Sequence, residues 1–429
     1  MSDQKLFNRW LVVVGALLIQ LCLGAIYAWS VFTPYLTGKT KDPVHQFNFT
    51  STQTQIIFSV GLAAFAVTMI FAGRWQAKRG PQLVCVVGGL VLGAGYVLGS
   101  FVGTSFIGQV LAIGLIGGAG IGLAYVCPIA VGMRWFPDKK GLITGLAVAG
   151  FGFGAMIWVK LAGSWGQLLA KYGVIRVFFI YGIVFAAVVL VGSVFMKYPP
   201  EGWKPKGWNP EAAGTNKNNH GGLEFNSRQM LKTPQFYALW TTFVFSAMAG
   251  LMTIGIIKLF GIDALQKAGY SEVQASAIAG TSMAVFLSIA NGLGRIIWGT
   301  VSEKLGRKQS ILIMTLAQGI VMLVFYYMGS SEMLFYLGAT LIGFNFGGNF
   351  SLFPTATADF FGTRSVGLNY GWMFTAYGAG GIIGPILAGL IRDAWQNFHM
   401  AFVISGVLCL AAAVITFFMK PPTEVPAER

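Results

Sequence analysis

Long apolar runs follow one another along the chain, with short polar segments between them. A helix that crosses a membrane needs about 20 mainly apolar residues, and twelve runs have roughly this length. They lie at roughly 10–36, 54–75, 81–101, 106–133, 141–168, 173–196, 234–261, 273–301, 308–329, 333–358, 366–391 and 397–419. The pattern predicts an all-α membrane protein with twelve transmembrane helices in the lipid bilayer.

Composition excludes several classes of protein. Of the 429 residues, 55% are hydrophobic and 10% are charged, whereas a soluble domain carries about 25% charged residues. A chain this apolar is neither an ordinary soluble enzyme nor a nucleic-acid-binding protein. The net charge of +15 leaves this conclusion unchanged, because the distribution of the basic residues accounts for it.

The basic residues are divided unequally between the two sides of the predicted membrane. An even number of helices puts both termini on one side, which carries 20 of the 29 Lys and Arg residues, against six on the other side. Cytoplasmic loops hold the excess of positive charge. We therefore expect a cell (inner or plasma) membrane protein with both termini cytoplasmic, and the charge requires no nucleic acid partner.

One long polar connection divides the chain into two halves that repeat each other. It predicts an N-terminal six-helix bundle at 1–197, a cytoplasmic linker loop at 198–233 and a C-terminal six-helix bundle at 234–429. Loops beginning at Gly73 and Gly299 are similar at an offset of 226, and Trp135 aligns with Phe360 at an offset of 225. Six-helix units repeat in the same orientation, related by an axis along the membrane normal.

The two similar loops resemble the signature of the major facilitator superfamily, Gly-x-x-x-Asp/Glu-Lys/Arg-x-Gly-Arg-Lys. The C-terminal copy is intact, whereas in the N-terminal copy Ala77 replaces the acid and Pro81 follows the glycine. The resemblance implies two pseudo-symmetric six-helix bundles and a conformational role for the motif. Its candidate residues are Gly73, Gly80, Gly299, Glu303, Gly306 and Arg307.

Five further runs fall in order along the chain. They are Tyr27-Ala28-Trp29-Ser30, Arg134-Trp135-Phe136-Pro137-Asp138-Lys139-Lys140-Gly141, Thr233-Pro234-Gln235-Phe236, Asn291-Gly292-Leu293-Gly294-Arg295 and Asn369-Tyr370-Gly371. Together they resemble the monocarboxylate porter family, and most of all its oxalate:formate antiporter branch. The resemblance implies alternating-access transport of a small carboxylate anion, coupled to protons or to a counter-anion, with a monomer as the functional unit.

Arg295 is the most informative residue, because it lies within a predicted span. A charge at the centre of a span costs about 2.5–3.5 kcal/mol on insertion scales and usually faces a cavity or a partner. Glu303 is about 12 Å away along the helix, and Asp263, Asp359 and Asp393 lie near span ends. We expect Arg295 to bind a carboxylate through two parallel hydrogen bonds. Snorkelling, or a structural pair with Glu303, is the alternative.

Asn291 shares a helix face with Arg295 and is the second candidate ligand, although a helix–helix hydrogen bond is the alternative. In eukaryotic members of the resembled family an acid often occupies this position and takes the coupled proton, which asparagine cannot do. In oxalate-type antiporters a lysine occupies the position that matches Tyr377. Since one arginine suits a single carboxylate, the loss of that lysine favours a monocarboxylate substrate.

Aromatic residues at similar predicted depth are expected to complete the pocket, since small-ligand pockets are mostly apolar. They are Tyr27, Tyr125, Phe346, Phe350, Phe374 and Tyr377. Plain helix packing is the alternative for each of them. Lys160 is expected either on an access path of the substrate or snorkelling to the interface, and Lys258 is expected to snorkel.

Small residues and cysteines are expected to serve helix packing. Gly114-x-x-x-Gly118-x-x-x-Gly122 predicts a helix face that approaches a neighbour closely. The four cysteines lie inside apolar runs, so packing is favoured over disulfide pairing.

No group of residues in the sequence indicates catalysis, a metal or a cofactor. His45, His220 and His399 lie in or near loops without metal-ligand spacing, and no nucleotide-binding motif is present. We therefore expect a non-enzymatic secondary transporter, a proton-coupled symporter of small monocarboxylates such as lactate or pyruvate. The alternatives are an anion exchanger of the oxalate:formate antiporter type and a receptor or sensor without transport activity.

Overall fold

A computed structural model describes residues 8–136, 140–200, 203–205, 223–362 and 365–425, and these ranges contain helices and no strand. Twelve of the helices are long. They are α1 (Arg9–Val31), α2 (Ser51–Arg79), α3 (Pro81–Phe101), α4 (Phe106–Trp135), α5 (Lys140–Ala162), α6 (Leu168–Ser193), α7 (Pro234–Lys267), α8 (Glu272–Leu305), α9 (Arg307–Met328), α10 (Glu332–Phe361), α11 (Val366–Trp395) and α12 (His399–Phe418). The predicted all-α fold of two six-helix bundles is confirmed.

Ten of these helices, within the described residues, are long and apolar enough to cross a membrane by length and composition. The remaining two are α5, whose described apolar stretch is shorter (Val148–Ala162), and α10. The sequence of α10 alternates apolar residues with Asn, Ser, Thr and Gly, and much of that helix is buried among its neighbours. A helix shielded by protein needs less apolar surface than one that faces lipid.

The helix ends around the turn between α5 and α6 differ from the prediction by several residues. Helix α5 ends at Ala162 rather than near 168, and α6 begins at Leu168 rather than at 173. Gly173 interrupts α6 with a φ of 75°, and the Asp42 carboxylate accepts a hydrogen bond from the Val174 N–H at 2.8 Å. The regular part of α6 therefore begins where the sequence predicted it, after a short preceding turn.

Among the described residues, three helices contain a 3₁₀ or π segment. Helix α1 tightens to a 3₁₀-helix over Gly24–Val31. Helices α4 and α8 widen into π-helices over Val110–Gly117 and Ser282–Leu287. Single π turns within α-helices often occur at functional sites, and the one in α8 lies ahead of Asn291 and Arg295.

The glycine-rich face of α4 packs directly on the backbone of α2. A Cβ atom on Gly118 would lie 2.3 Å from the carbonyl oxygen of Gly61, so only glycine permits this approach. The predicted close-approach face is confirmed. The expected burial of the cysteines is confirmed as well, because Cys22, Cys85, Cys127 and Cys409 are all buried and free.

The two most extensive contacts between the bundles are made by two helix pairs among the described residues. Helix α2 packs along α11, and α5 packs along α8. The division of the chain at 198–233 stays a prediction, because 201–202 and 206–222 lie outside the described residues, as do 137–139 of the loop between α4 and α5.

The described end of the linker is attached to the C-terminal bundle. The Phe225 N–H donates to the Phe361 carbonyl oxygen at 3.0 Å. The Asn369 amide donates to the Phe225 carbonyl oxygen at 3.0 Å and accepts from the Ser227 hydroxyl at 2.9 Å. Asn369, part of the run that suggested the family, therefore holds the linker against the start of α11.

We call the face that carries both termini the terminal face, and the face with the α1–α2, α7–α8 and α11–α12 connections the opposite face. Contacts between the bundles close the opposite face. Lys39 pairs with Asp263 of α7 at 3.2 Å. The Asp393 carboxylate of α11 accepts hydrogen bonds from the backbone N–H groups of Ser51 and Thr52, at 2.9 and 2.8 Å, where α2 begins.

Candidate substrate-binding site

Arg295 lies at the contact between α8 and α5, and therefore between the two bundles. Its side chain is buried, with 3% of its surface exposed. Its Nε donates to Asn291 Oδ1 one turn earlier in α8 at 3.2 Å, and its Nη1 donates to the Val148 carbonyl oxygen of α5 at 3.1 Å. The guanidinium carbon lies 3.9 Å from the centre of the Phe350 ring. The cation is thus held in the interior and does not snorkel.

Two donors at this point have no partner. Arg295 Nη2 and Asn291 Nδ2 are both buried without a hydrogen bond among the described residues. The ion pairs found in the described part of the chain do not include Arg295, so its charge is met by carbonyl oxygens and aromatic rings. A buried donor left unsatisfied costs about 1–3 kcal/mol, and more when charged. A carboxylate would satisfy both donors.

A glycine on α5 allows α8 to approach. A Cβ atom on Gly152 would lie 3.3 Å from the Gly292 backbone nitrogen and 3.6 Å from Asn291 Nδ2. Any larger side chain would push α8 away or cover the free amide of Asn291. Gly152 therefore leaves space between α5 and the unpaired amide of Asn291.

The six aromatic residues proposed from the sequence come together around Arg295. The hydroxyls of Tyr27 (α1) and Tyr377 (α11) lie 3.0 Å apart and form a hydrogen bond between the bundles. The ring centroids of Phe374 and Tyr377 lie 4.9 Å apart, and those of Tyr125 and Phe374 lie 6.3 Å apart. The ring centroid of Phe350 lies 5.4 Å from that of Phe346 and 5.7 Å from that of Tyr377. Helices α1, α4, α10 and α11 thus supply one aromatic cluster.

The sequence reasoning missed several members of this aromatic cluster, among them Phe65, Phe151 and Tyr370, whose ring lies 5.7 Å from that of Phe374. The ring of Phe65 (α2) lies 5.0 Å from that of Tyr125. The ring of Phe151 (α5) lies 4.9 Å from that of Tyr27 and 6.0 Å from the Arg295 guanidinium carbon. Nothing in the sequence separates Phe65 and Phe151 from the other 33 phenylalanines, although the position of Phe151 between Gly150 and Gly152 marks a tightly packed helix face.

Lys160 lies away from Arg295, toward the opposite face. It is on the same helix as Val148 but twelve residues further along, which is about 18 Å. Its Nζ donates to Thr281 Oγ1 of α8 at 3.1 Å. Lys258, which was expected to snorkel, has only 8% of its surface exposed, because its Nζ donates to the carbonyl oxygen and the hydroxyl of Ser276.

The conformational motif is built around repeated glycines. Gly80 and Gly306 have φ values of 85° and 89°, a backbone conformation that favours glycine. Both lie between consecutive helices at equivalent places in the two bundles. Gly73 and Gly299 lie earlier in the preceding helices, where a Cβ on Gly73 would meet nothing within 4 Å.

The acidic partner of the motif arginine comes from another helix. Arg307 pairs with Asp359 of α10 at 3.3 Å and donates to the Ser302 hydroxyl. Glu303, which fills the acidic position of the motif, is exposed. The link that the described residues show at this end of the C-terminal bundle therefore joins α9 to α10.

The comparison with protein families agrees with this fold. The model of the Major Facilitator Superfamily matches residues 10–289 and 269–429. A solved structure of a bacterial homologue of the human lysosomal transporter Spinster, in an inward-facing and unoccupied conformation, has a TM-score of 0.68 at 16% identity, with 98% of each chain covered. That likeness concerns the fold.

Curated relatives match most of the chain, among them these three. An uncharacterized MFS-type transporter, YhjX, of Escherichia coli (strain K12) is 28% identical, over 87% of this chain and 86% of its own. The oxalate:formate antiporter of Oxalobacter formigenes is 26% identical, over 100% and 95%. The apicoplast pyruvate carrier 1 of Toxoplasma gondii is 23% identical, over 96% and 89%. The protein therefore belongs to the Major Facilitator Superfamily, in the branch that includes the oxalate:formate antiporter and the monocarboxylate transporters, and is a multi-pass membrane transporter.

Proposed function

We propose that the protein is a secondary active transporter of small monocarboxylates of the size of lactate or pyruvate, and that Arg295 and Asn291 bind the substrate carboxylate between the two bundles. The observation that carries the proposal is the pair of buried, unpartnered donors, Arg295 Nη2 and Asn291 Nδ2. An arginine binds a carboxylate through two parallel hydrogen bonds. The amide of Asn291 adds a third donor to the same anion.

The surroundings of Arg295 favour a small substrate with one negative charge. Tyr377 occupies the position at which the resembled oxalate transporters have a second cation, and its hydroxyl pairs with Tyr27. A neutral hydroxyl pair can bind a keto or hydroxyl oxygen but does not compensate a second carboxylate. The rings of Phe346, Phe350 and Phe374 leave apolar contacts for a short carbon chain.

Substrate binding would weaken one link between the bundles. The Nη1 group of Arg295 now donates to the Val148 carbonyl oxygen across the α5–α8 contact. A carboxylate held by Nη1 and Nη2 would compete with this carbonyl oxygen. A ligand changes a conformational equilibrium only through contacts that differ between the states, and this exchange of partners provides such a difference for alternating access.

Proton symport is the proposed mode of coupling, with anion exchange as the second candidate. Exchange is favoured by one observation: no acidic side chain pairs with Arg295 among the described residues, so no carboxyl group at this site is placed to carry a proton. The relative named as an oxalate:formate antiporter adds support for exchange.

We further propose a cell (inner or plasma) membrane location with cytoplasmic termini, a monomeric functional unit, and transport without enzymatic activity, metal or cofactor. The distribution of Lys and Arg supports the orientation. Groups of three or more potential metal ligands are absent from the described residues.

The test is uptake of radiolabelled L-lactate by proteoliposomes, with and without an inward proton gradient. Arg295→Lys is expected to reduce uptake by at least about tenfold, because lysine keeps the charge but loses the bidentate contact. Arg176→Lys, at an exposed position of α6, is the matched control and is expected to transport normally. Equal uptake by wild type and Arg295→Lys would show that Arg295 is structural.

The same vesicles distinguish the two modes of coupling. Accumulation that depends on the proton gradient supports symport. Uptake that does not depend on the proton gradient, but is faster when the vesicles contain lactate or formate, supports exchange and overturns proton coupling.

A further inference from the structure

A cleft on the opposite face contains two lysines that the proposed site does not use. Its volume is about 420 Å³, and its walls come from both bundles. The lining includes Lys160 and Ala162 of α5 on one side, and Lys258 of α7 and Thr281 of α8 on the other. A water molecule takes about 30 Å³ in the liquid, so the cleft has room for a small organic anion together with several waters.

We propose that this cleft is a second carboxylate-binding site, where Lys160 and Lys258 hold the anion at the opposite face before it moves to Arg295 or after it leaves. This inference rests on the proposed function, because it takes the transported monocarboxylate as the ligand. We call this site the outer lysine site.

The two ammonium groups lack anionic partners. Lys258 is 8% exposed and donates to the carbonyl oxygen and hydroxyl of Ser276, both neutral. Lys160 donates to the neutral Thr281 hydroxyl. Neither lysine is in an ion pair among the described residues. Each ammonium has three donors, and a buried charge is costly unless a counter-charge meets it.

The two cations also act on each other. Lys160 and Lys258 line the same cleft, and two like charges in one cleft repel each other. Glu272, the acidic residue of the lining, is exposed at the beginning of α8. An anion between the lysines would remove the repulsion and give a partner to the buried charge of Lys258 and to the partly buried charge of Lys160. A neutral solute would do neither, so the chemistry of the cleft favours a carboxylate.

The outer lysine site and the site at Arg295 use the same pair of helices. At the opposite face, Lys160 of α5 donates to Thr281 of α8. Deeper in the protein, Arg295 of α8 donates to Val148 of α5. Thr281 and Asn291 are ten residues apart, or about 15 Å along the helix. At each site, therefore, a cationic side chain donates a hydrogen bond from one bundle to the other. A carboxylate that binds this cation would compete with the hydrogen bond between the bundles.

The experiment is equilibrium binding of radiolabelled L-lactate to the purified full-length protein in nanodiscs. Wild type is expected to show a tight and a weak class of site. Arg295→Lys should lose the tight class and keep the weak one. Lys160→Gln and Lys258→Gln should each raise the Kd of the weak class by at least about tenfold, as expected for losing a charge-assisted hydrogen bond, and keep the tight class.

Retention of the tight class in the lysine variants also shows that they are folded. Lys267→Gln, at an exposed position near the end of α7, is the control and should keep both classes. A single class in wild type that Arg295→Lys removes would overturn the outer lysine site and leave the proposed function standing. Two classes that both survive Arg295→Lys would instead overturn the assignment of Arg295.

Discussion

Arg295 lies over an aromatic ring, which interacts with the cation without using its N–H groups. Its guanidinium carbon lies 3.9 Å from the centre of the Phe350 ring. The N–H groups of a guanidinium point outward in its own plane. Two of these groups bond to Asn291 and Val148, and Nη2 stays available. The ring thus orients the cation without consuming a donor.

Replacing Phe350 should therefore weaken substrate binding rather than abolish transport. Phe350→Leu removes the cation–π contact, which contributes about 1–2 kcal/mol when desolvated, and should raise the KM for lactate about five- to thirtyfold. Phe350→Tyr keeps an aromatic face and should stay close to wild type. Similar KM values for the Leu and Tyr variants would contradict this role, as measured by initial uptake rates in proteoliposomes.

The hydroxyls of Tyr27 and Tyr377 satisfy each other across the bundle interface. Replacing either one by Phe leaves the other buried without its partner at 3.0 Å, at a cost of about 1–3 kcal/mol. Each single variant should lower the midpoint of thermal unfolding. The double variant should lower this midpoint by less than the sum of the two single decreases, because neither hydroxyl is left buried without its partner. Additive losses would show that the two hydroxyls act independently.

At the scale of helices, the most consequential contact is an N-terminal cap supplied by another bundle. The Asp393 carboxylate of α11 accepts from the first two backbone N–H groups of α2. Such groups have no partner within their own helix, and a negative charge there is favourable by about 0.3–2 kcal/mol. Because the cap joins α2 to α11 on the opposite face, it stabilises the state in which that face is closed.

Asp393→Asn should increase the fraction of molecules that are open at the opposite face. The reporter is Ser59→Cys, a near-isosteric change at a buried position of α2. Its rate of reaction with a membrane-impermeant maleimide should rise about two- to thirtyfold, the range that corresponds to the cap energy. Glu332→Gln, which removes the acidic residue in the first turn of α10, should leave the rate unchanged. An unchanged rate in Asp393→Asn would exclude the cap as a closing contact.

At the scale of the whole molecule, the orientation in the membrane follows from the unequal distribution of Lys and Arg. A green fluorescent protein fused to the C-terminus should fluoresce, and alkaline phosphatase fused there should be inactive. Phosphatase fused after Lys267, on the opposite face, should be active. The reverse pattern would place the opposite face in the cytoplasm. The outer lysine site would then face the cytoplasm, against the proposal.

The order of the twelve helices could be predicted from the sequence because each apolar run is long and ends in charged residues or glycine. The grouping of Arg295, Asn291 and six aromatic residues followed from depth along each helix. The carbonyl oxygen of Val148 could not be predicted, since every residue has one and only the packing of α5 on α8 selects it. Phe65 and Phe151 could not be predicted for a related reason. No sequence feature distinguishes them from the other phenylalanines that pack between helices.

The π-helical segment Ser282–Leu287 of α8 lies between Thr281 and Asn291, and so between the two places where the substrate is proposed to bind. A π turn contains more residues than an α turn, and each residue of an α-helix turns the chain by about 100°. If the π turn moves along α8 past the residues between the two sites, the end that carries Thr281 rotates by about 100° relative to Arg295. The two ends of the helix can therefore rotate relative to each other, so that one end changes its contacts with α5 while the other end keeps them.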